Sequence, residues 1–106
     1  MRQLTPLELQ GMLARDRDPP LLLDVREPWE VAVAWIEGAL NLPIDRVMDG
    51  WHQLDPAREM AVICHHGFRS AQVVLFLEHA GFERVANLDG GIDAWSREVD
   101  PTVPTY

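Results

Sequence analysis

Three short apolar runs constrain this chain more than any other feature: Leu21-Leu22-Leu23-Asp24-Val25, Met60-Ala61-Val62-Ile63-Cys64 and Arg84-Val85-Ala86-Asn87-Leu88. Continuous rather than alternating hydrophobicity over about five residues is what a strand covered on both faces requires. A further strand is predicted at Ala39-Leu40-Asn41-Leu42, stopped by Pro43. Helical patterns fill the intervals. Thr5 caps the first, Pro6 suits its first turn, Glu8 completes a capping box, and Leu4 and Leu9 are placed as a hydrophobic staple. Leu9, Met12 and Leu13 supply its apolar stripe, and Asp18-Pro19-Pro20 ends it. Pro28 opens a short helix through Val33, and one or two turns are expected between Ile44 and Pro56. A longer helix runs from Ser70 to Ala80, where Gly81 takes the left-handed position and Phe82 folds back on Leu77. Asp89-Gly90-Gly91 reads as a turn, Ile92 to Arg97 as a short helix, and the tail with Pro101 and Pro104 as extended chain over the surface. Strands thus alternate with helices throughout, which predicts an α/β domain with a mostly parallel sheet and helices on either side. A length of 106 residues fits one such domain.

Charge and composition remove several function classes. The formal net charge is −8, and all nine basic residues are arginine. Without lysine there is no Schiff-base chemistry, and without a basic footprint there is no expectation of a nucleic-acid partner. No apolar run approaches the ~18 residues of a membrane-spanning helix, so no membrane partner is expected. The start, Met1-Arg2-Gln3-Leu4-Thr5-Pro6, lacks a secretory signal, and the default expectation is a cytoplasmic location. The single cysteine, Cys64, rules out an internal disulfide.

Chemistry concentrates at that cysteine. In open parallel sheets, ligands bind where strands end at their carboxyl edge. Cys64 ends an apolar strand and opens a short loop, with a helix expected from about Arg69 or Ser70. Gly67 lets the loop take angles that other residues avoid. A tight loop closing onto a helix start aims N–H groups inward as an anion cradle, and such dipoles favour thiolate over thiol. Arg69 adds a fixed charge able to fork onto an oxyanion.

The segment Cys64-His65-His66-Gly67-Phe68-Arg69-Ser70 resembles the C-x-x-G-x-R-S active-site loop of the rhodanese sulfurtransferases. Asp24-Val25-Arg26-Glu27 is similar to the family's D-V-R-E signature, Glu37 to Pro43 to its second signature, and Leu88 to Trp95 to its C-terminal one. The resemblance implies a rhodanese-like three-layer α/β/α fold around a mostly parallel five-stranded sheet. It also implies a two-step reaction: Cys64 takes sulfur from a small anion such as thiosulfate, then passes it to cyanide, a thiol or a protein cysteine. Cys64 would be the nucleophile, residues 65 to 70 would hold the donor, and no metal or organic cofactor would be required. Ala34-Trp35 stands where the family usually has Gly-His.

Other readings stand beside this one. Related phosphatases and arsenate reductases place five residues between cysteine and arginine, whereas four stand here, giving a smaller cradle suited to sulfur. A non-catalytic regulatory module is a further alternative. His65 and His66, with Cys64 and His52, are poorly spaced for one zinc ion and are expected to point outward. Asp24 and Arg26, at the carboxyl end of a strand, either form a structural salt link that orients the loop, the favoured reading, or contact the substrate directly. Ser70 either donates to the thiolate or caps its helix, Phe68 lines the entrance or packs, and the four tryptophans are assigned to packing.

Overall fold

A computed structural model describes residues 1–106. Five strands form one parallel sheet: β1 (Arg2–Leu4), β2 (Leu21–Asp24), β3 (Leu40–Asn41), β4 (Met60–Ile63) and β5 (Val85–Leu88). Their order is β1-β5-β4-β2-β3. Four α-helices lie between them, α1 (Pro6–Arg15), α2 (Pro28–Val33), α3 (Ile44–Gly50) and α4 (Phe68–His79), and α5 (Gly91–Glu98) follows the last strand.

Residue alternation along the strands builds two cores, one on each side of the sheet. Leu22, Ala61, Ile63, Ala86 and Leu88 face the cluster completed by Leu9 of α1 and by Ile92 and Trp95 of α5. Leu23, Met60, Val62 and Val85 face the other, completed by Val47 of α3 and by Val73, Val74 and Leu77 of α4. Cys64 belongs to the second cluster. Because both faces are covered, no strand needs polar alternation, which is why the apolar runs are continuous.

Local signals in the sequence are realised where they are complete. Thr5 and Glu8 exchange the capping-box bonds, at 3.1 and 3.0 Å. Gly81, at φ 105°, ends α4 with Gly81 N–H on Glu78 O and Phe82 N–H on Leu77 O, the two bonds of a Schellman ending.

Three expectations are corrected. The edge strand β1 has no counterpart among the expected strands; it is three residues long and gains its place by pairing with β5. The helix after the cysteine loop begins at Phe68, earlier than expected. Trp29 and Trp35 are mostly exposed instead of packed, with only Trp95 buried among the four.

The strand order places the site. From β2 the chain moves outward to β3, and from β4 it moves the other way to β5. The carboxyl ends of the neighbouring strands β2 and β4 therefore flank a topological switch point, where connecting loops diverge and leave a crevice. Asp24 ends β2 and Cys64 follows β4, so the chain brings both to this crevice.

Candidate active site

Beyond Ile63 the backbone leaves the sheet at Cys64, which is 1% exposed. Two glycines shape the loop beyond it. Gly67 sits at φ 96°, and a Cβ there would lie 3.1 Å from Gly90 N and 3.3 Å from Leu88 O. Gly91, at φ 63°, is packed tighter still, since a Cβ would collide with the backbone oxygens of Cys64 and His65. The missing side chain lets the start of α5 press on the loop. Ile92 N–H donates to Cys64 O at 2.9 Å, and Asp93 N–H donates to His65 O at 3.1 Å. With both carbonyls held toward α5, planar trans peptides turn the His65 and His66 N–H groups away from it. At the end of the loop the Gly67 N–H donates to Cys64 Sγ at 3.1 Å.

Ser70 lies in the first turn of α4, and its Oγ is 3.2 Å from Sγ and 2.5 Å from Asn87 Oδ1. The Asn87 amide is oriented by its own donations to Gly67 O at 3.1 Å and Gln3 Oε1 at 3.0 Å. A single buried side chain on β5 thus ties the loop, the helix start and the edge strand together. Asn87 is absent from the site residues expected from sequence, although a polar residue inside an apolar strand is a signal for it.

Charge at the site is arranged in pairs. Arg69 forks onto Glu30 of α2, with Nη1 to Oε2 at 2.8 Å and Nη2 to Oε1 at 2.7 Å. Glu30 is buried, and it also accepts from Tyr106 Oη and Glu27 N–H, each at 2.9 Å. The Arg69 guanidinium holds the Glu30 carboxyl down at about 2 against the opposing effect of burial, with Glu27 N–H adding to it. Arg69 in turn is held above its usual range, chiefly by Glu30. Arg69, expected as the cradle's fixed charge able to fork onto an oxyanion, has its planar fork occupied by a carboxylate of the same shape.

Arg26 is fully buried and turns inward. Its Nε and Nη2 bind Asp24 Oδ1 and Oδ2 at 2.9 and 2.7 Å. Further bonds run from Nη2 to Ala34 O at 2.7 Å, and from Nη1 to Tyr106 Oη at 2.9 Å. Asp24 and Arg26 therefore form a structural link beneath the site. Ala34 is buried and supplies a carbonyl to that link, while Trp35 points outward.

The loop's remaining side chains lie at its rim. Phe68 is 79% exposed, and His66 is exposed beside it. His65 does not point outward as expected; its ring is sandwiched between His66, centroids 3.9 Å apart, and Tyr106 at 3.8 Å and 4°. Burial, aided by His66, pushes the His65 pKa below its ordinary value. His65, His66 and Asp93 bring possible ligand atoms within 4.8 Å of one another. Zinc needs lone pairs converging from about 2.0–2.1 Å. Rings stacked at 29° aim theirs side by side, so this trio does not form a metal centre as arranged. Glu30 and Tyr106, like Asn87, are site residues that sequence reasoning misses; Glu30 shows only a capping pattern with Glu27, and nothing local marks a tail tyrosine. The largest surface cavity, about 570 Å³, involves β3 and α3 and none of residues 64–70.

Comparison with known proteins agrees with this geometry. Residues 5–98 match the family model of the rhodanese-like domain. The chain is 38% identical over 88 residues to a sulfurtransferase from Allochromatium vinosum, covering 83% of this chain and 82% of that protein. It is 40% identical over 94 residues to the rhodanese-like/PpiC domain-containing protein 12, chloroplastic, of Arabidopsis thaliana, covering 84% of this chain but only 31% of that longer protein. The crystal structure of a rhodanese-related protein from Thermoplasma volcanium superposes with a TM-score of 0.86 at 33% identity, each chain fully covered. No helix is long and apolar enough to cross a membrane. A family match over residues 5–98, with a sulfurtransferase relative covered over most of its length and a shared fold, leads to one conclusion: the chain belongs to the rhodanese-like family, in which sulfurtransferases are found.

Proposed function

We propose that residues 1–106 act as a single-domain sulfurtransferase that carries sulfane sulfur as a persulfide on Cys64. One observation supports this above the others: Sγ is buried, yet two hydrogen-bond donors, Gly67 N–H and Ser70 Oγ, converge on it. A cysteine that served only to fill the core would gain nothing from such donors, whereas a thiolate or persulfide anion is stabilised by them.

In the first step the Cys64 thiolate attacks the outer sulfur of thiosulfate or of a persulfide. A bond forms between Cys64 Sγ and that sulfur, the donor's S–S bond breaks, and its electron pair leaves on sulfite or thiolate. In the second step cyanide or an acceptor thiolate attacks the outer sulfur, and the pair of the broken bond returns to Cys64. Neither leaving group requires a proton, so no general acid is needed.

Intact mass after exposure to a donor tests the reading. A gain of one sulfur atom is expected, lost again on a cyanide chase with thiocyanate appearing, and absent in Cys64→Ser. Loading that persists in Cys64→Ser, or no loading from either thiosulfate or cysteine persulfide, sinks the reading and leaves an interaction module on the same fold.

A further inference from the structure

The donor class can be read from how charge is disposed around the cradle, given that Cys64 carries a persulfide. Both arginines near the loop already face carboxylates. Arg26 is fully buried against Asp24, and Arg69 is forked onto Glu30. The chain has no lysine and a net charge of −8. What remains for a donor at the sulfur is a set of dipoles, chiefly Gly67 N–H and the Ser70 hydroxyl.

A paired cation attracts a distant anion far less than a free one, because its partner cancels most of its field. Nor is Arg69 easily released. Four hydrogen bonds hold the Glu30 carboxylate: two from Arg69 and one each from Tyr106 and Glu27. A dianion that captured Arg69 would leave a buried carboxylate without its cation, which is costly.

We propose that Glu30 is a specificity-determining residue, and that by neutralising Arg69 it makes the cradle favour an organic persulfide over dianionic thiosulfate. A neutral persulfide R–S–SH needs no second cation. The Cys64 thiolate bonds to its outer sulfur, which keeps its proton. The S–S bond breaks and R–S⁻ departs with the electron pair, so one negative charge enters the step and one leaves it. Thiosulfate would bring two further negative charges into a site with no uncompensated cation to meet them.

The test compares second-order rate constants for loading Cys64 with thiosulfate and with cysteine persulfide, read by intact mass. Glu30→Gln leaves Arg69 charged and unpaired, so the thiosulfate-to-persulfide ratio rises by about tenfold. The double variant Glu30→Gln/Arg69→Gln removes the whole pair, and its ratio stays within about threefold of the wild-type value. A change in folding alone would alter both donors together and leave the ratio unmoved. An unchanged ratio in a folded Glu30→Gln overturns the inference. So does a selective loss of thiosulfate use in the double variant, because Arg69 would then have been acting as a free cation. Should Glu30→Gln fail to fold, the double variant decides alone by the same criterion. Absence of loading in the wild type by either donor would instead reject the persulfide reading itself, and this inference with it.

Discussion

Ser70 has one hydroxyl proton and two acceptors within reach, Cys64 Sγ and Asn87 Oδ1. With Cys64 as a thiol, the S–H can point to Oγ while the hydroxyl donates to Asn87. With Cys64 as a thiolate, the hydroxyl turns to the sulfur, because a donor prefers the charged acceptor. Ser70→Ala is therefore expected to slow Cys64 loading by about tenfold and to cost about 1–2 kcal/mol through the abandoned Asn87 oxygen. Loading kinetics and a thermal melt check the two effects separately. The serine's position is legible in the sequence, but its choice between capping and donating is not, since the partner that decides it lies 17 residues away on β5. Arg69 teaches the same lesson more sharply. Read alone it is an anion-binding charge whose loss would leave the fold intact; paired with Glu30 it is a structural partner as well. Arg69→Ala is expected to destabilise the protein on the order of 1–2 kcal/mol, discounted because the guanidinium is about one-third exposed. The pH dependence comes from the depressed Glu30 carboxyl, held at about 2 against an ordinary 4.5. The unfolded chain takes up that proton first as pH falls. The stability is thus fully present above pH 4.5 and is lost on the way down to about 2. Denaturant melts across that window should show a shallower loss in Arg69→Ala than in the wild type; parallel curves would contradict the assignment.

At the scale of elements, the start of α5 shapes the cradle without contributing a side chain to it. Its first N–H groups hold the carbonyls of Cys64 and His65, and they reach them only because Gly91 has no Cβ. Gly91→Ala must both strain a positive φ and push the loop away. It is expected to cost more than about 2 kcal/mol and to reduce Cys64 loading by at least tenfold. A stable, fully active variant would show that the loop does not depend on this contact. The segment Asp89-Gly90-Gly91 reads from the sequence as a turn; Asp89 and Gly90 form one, while Gly91 already opens α5, and its packing against the loop depends on a distance no local pattern encodes. Helix signals fare better, because the Thr5–Glu8 box and the Gly81–Phe82 ending are satisfied within a few residues. Strand β1 gives no such signal. It is short, it lies at the sheet edge, and two of its three residues are exposed.

For the molecule as a whole, the tail closes what the sheet begins. Tyr106 bonds to Arg26 and Glu30 and stacks on His65, connecting the buried ion pair, the Glu30–Arg69 pair and the cysteine loop. Tyr106→Phe keeps the stack but removes the hydroxyl, leaving Arg26 one acceptor short in a buried site. A loss of about 1–3 kcal/mol is expected, measurable as a lower denaturation midpoint. No change would mean that the tail merely rests on the surface, as its prolines alone suggest. By itself the sequence determined the α/β class, the covered parallel sheet and the place of Cys64 at a strand's carboxyl end. Those arise from hydrophobic runs, caps and turns, which act over a few residues and leave their pattern in order along the chain. Only the tertiary structure decided which groups face one another: Glu30 on Arg69, Asn87 on Ser70, Gly91 on the loop and Tyr106 across them. Hydrogen bonds and ion pairs act over about 3 Å in space, whatever the separation along the chain, so they emerge only once the sheet has set its strand order.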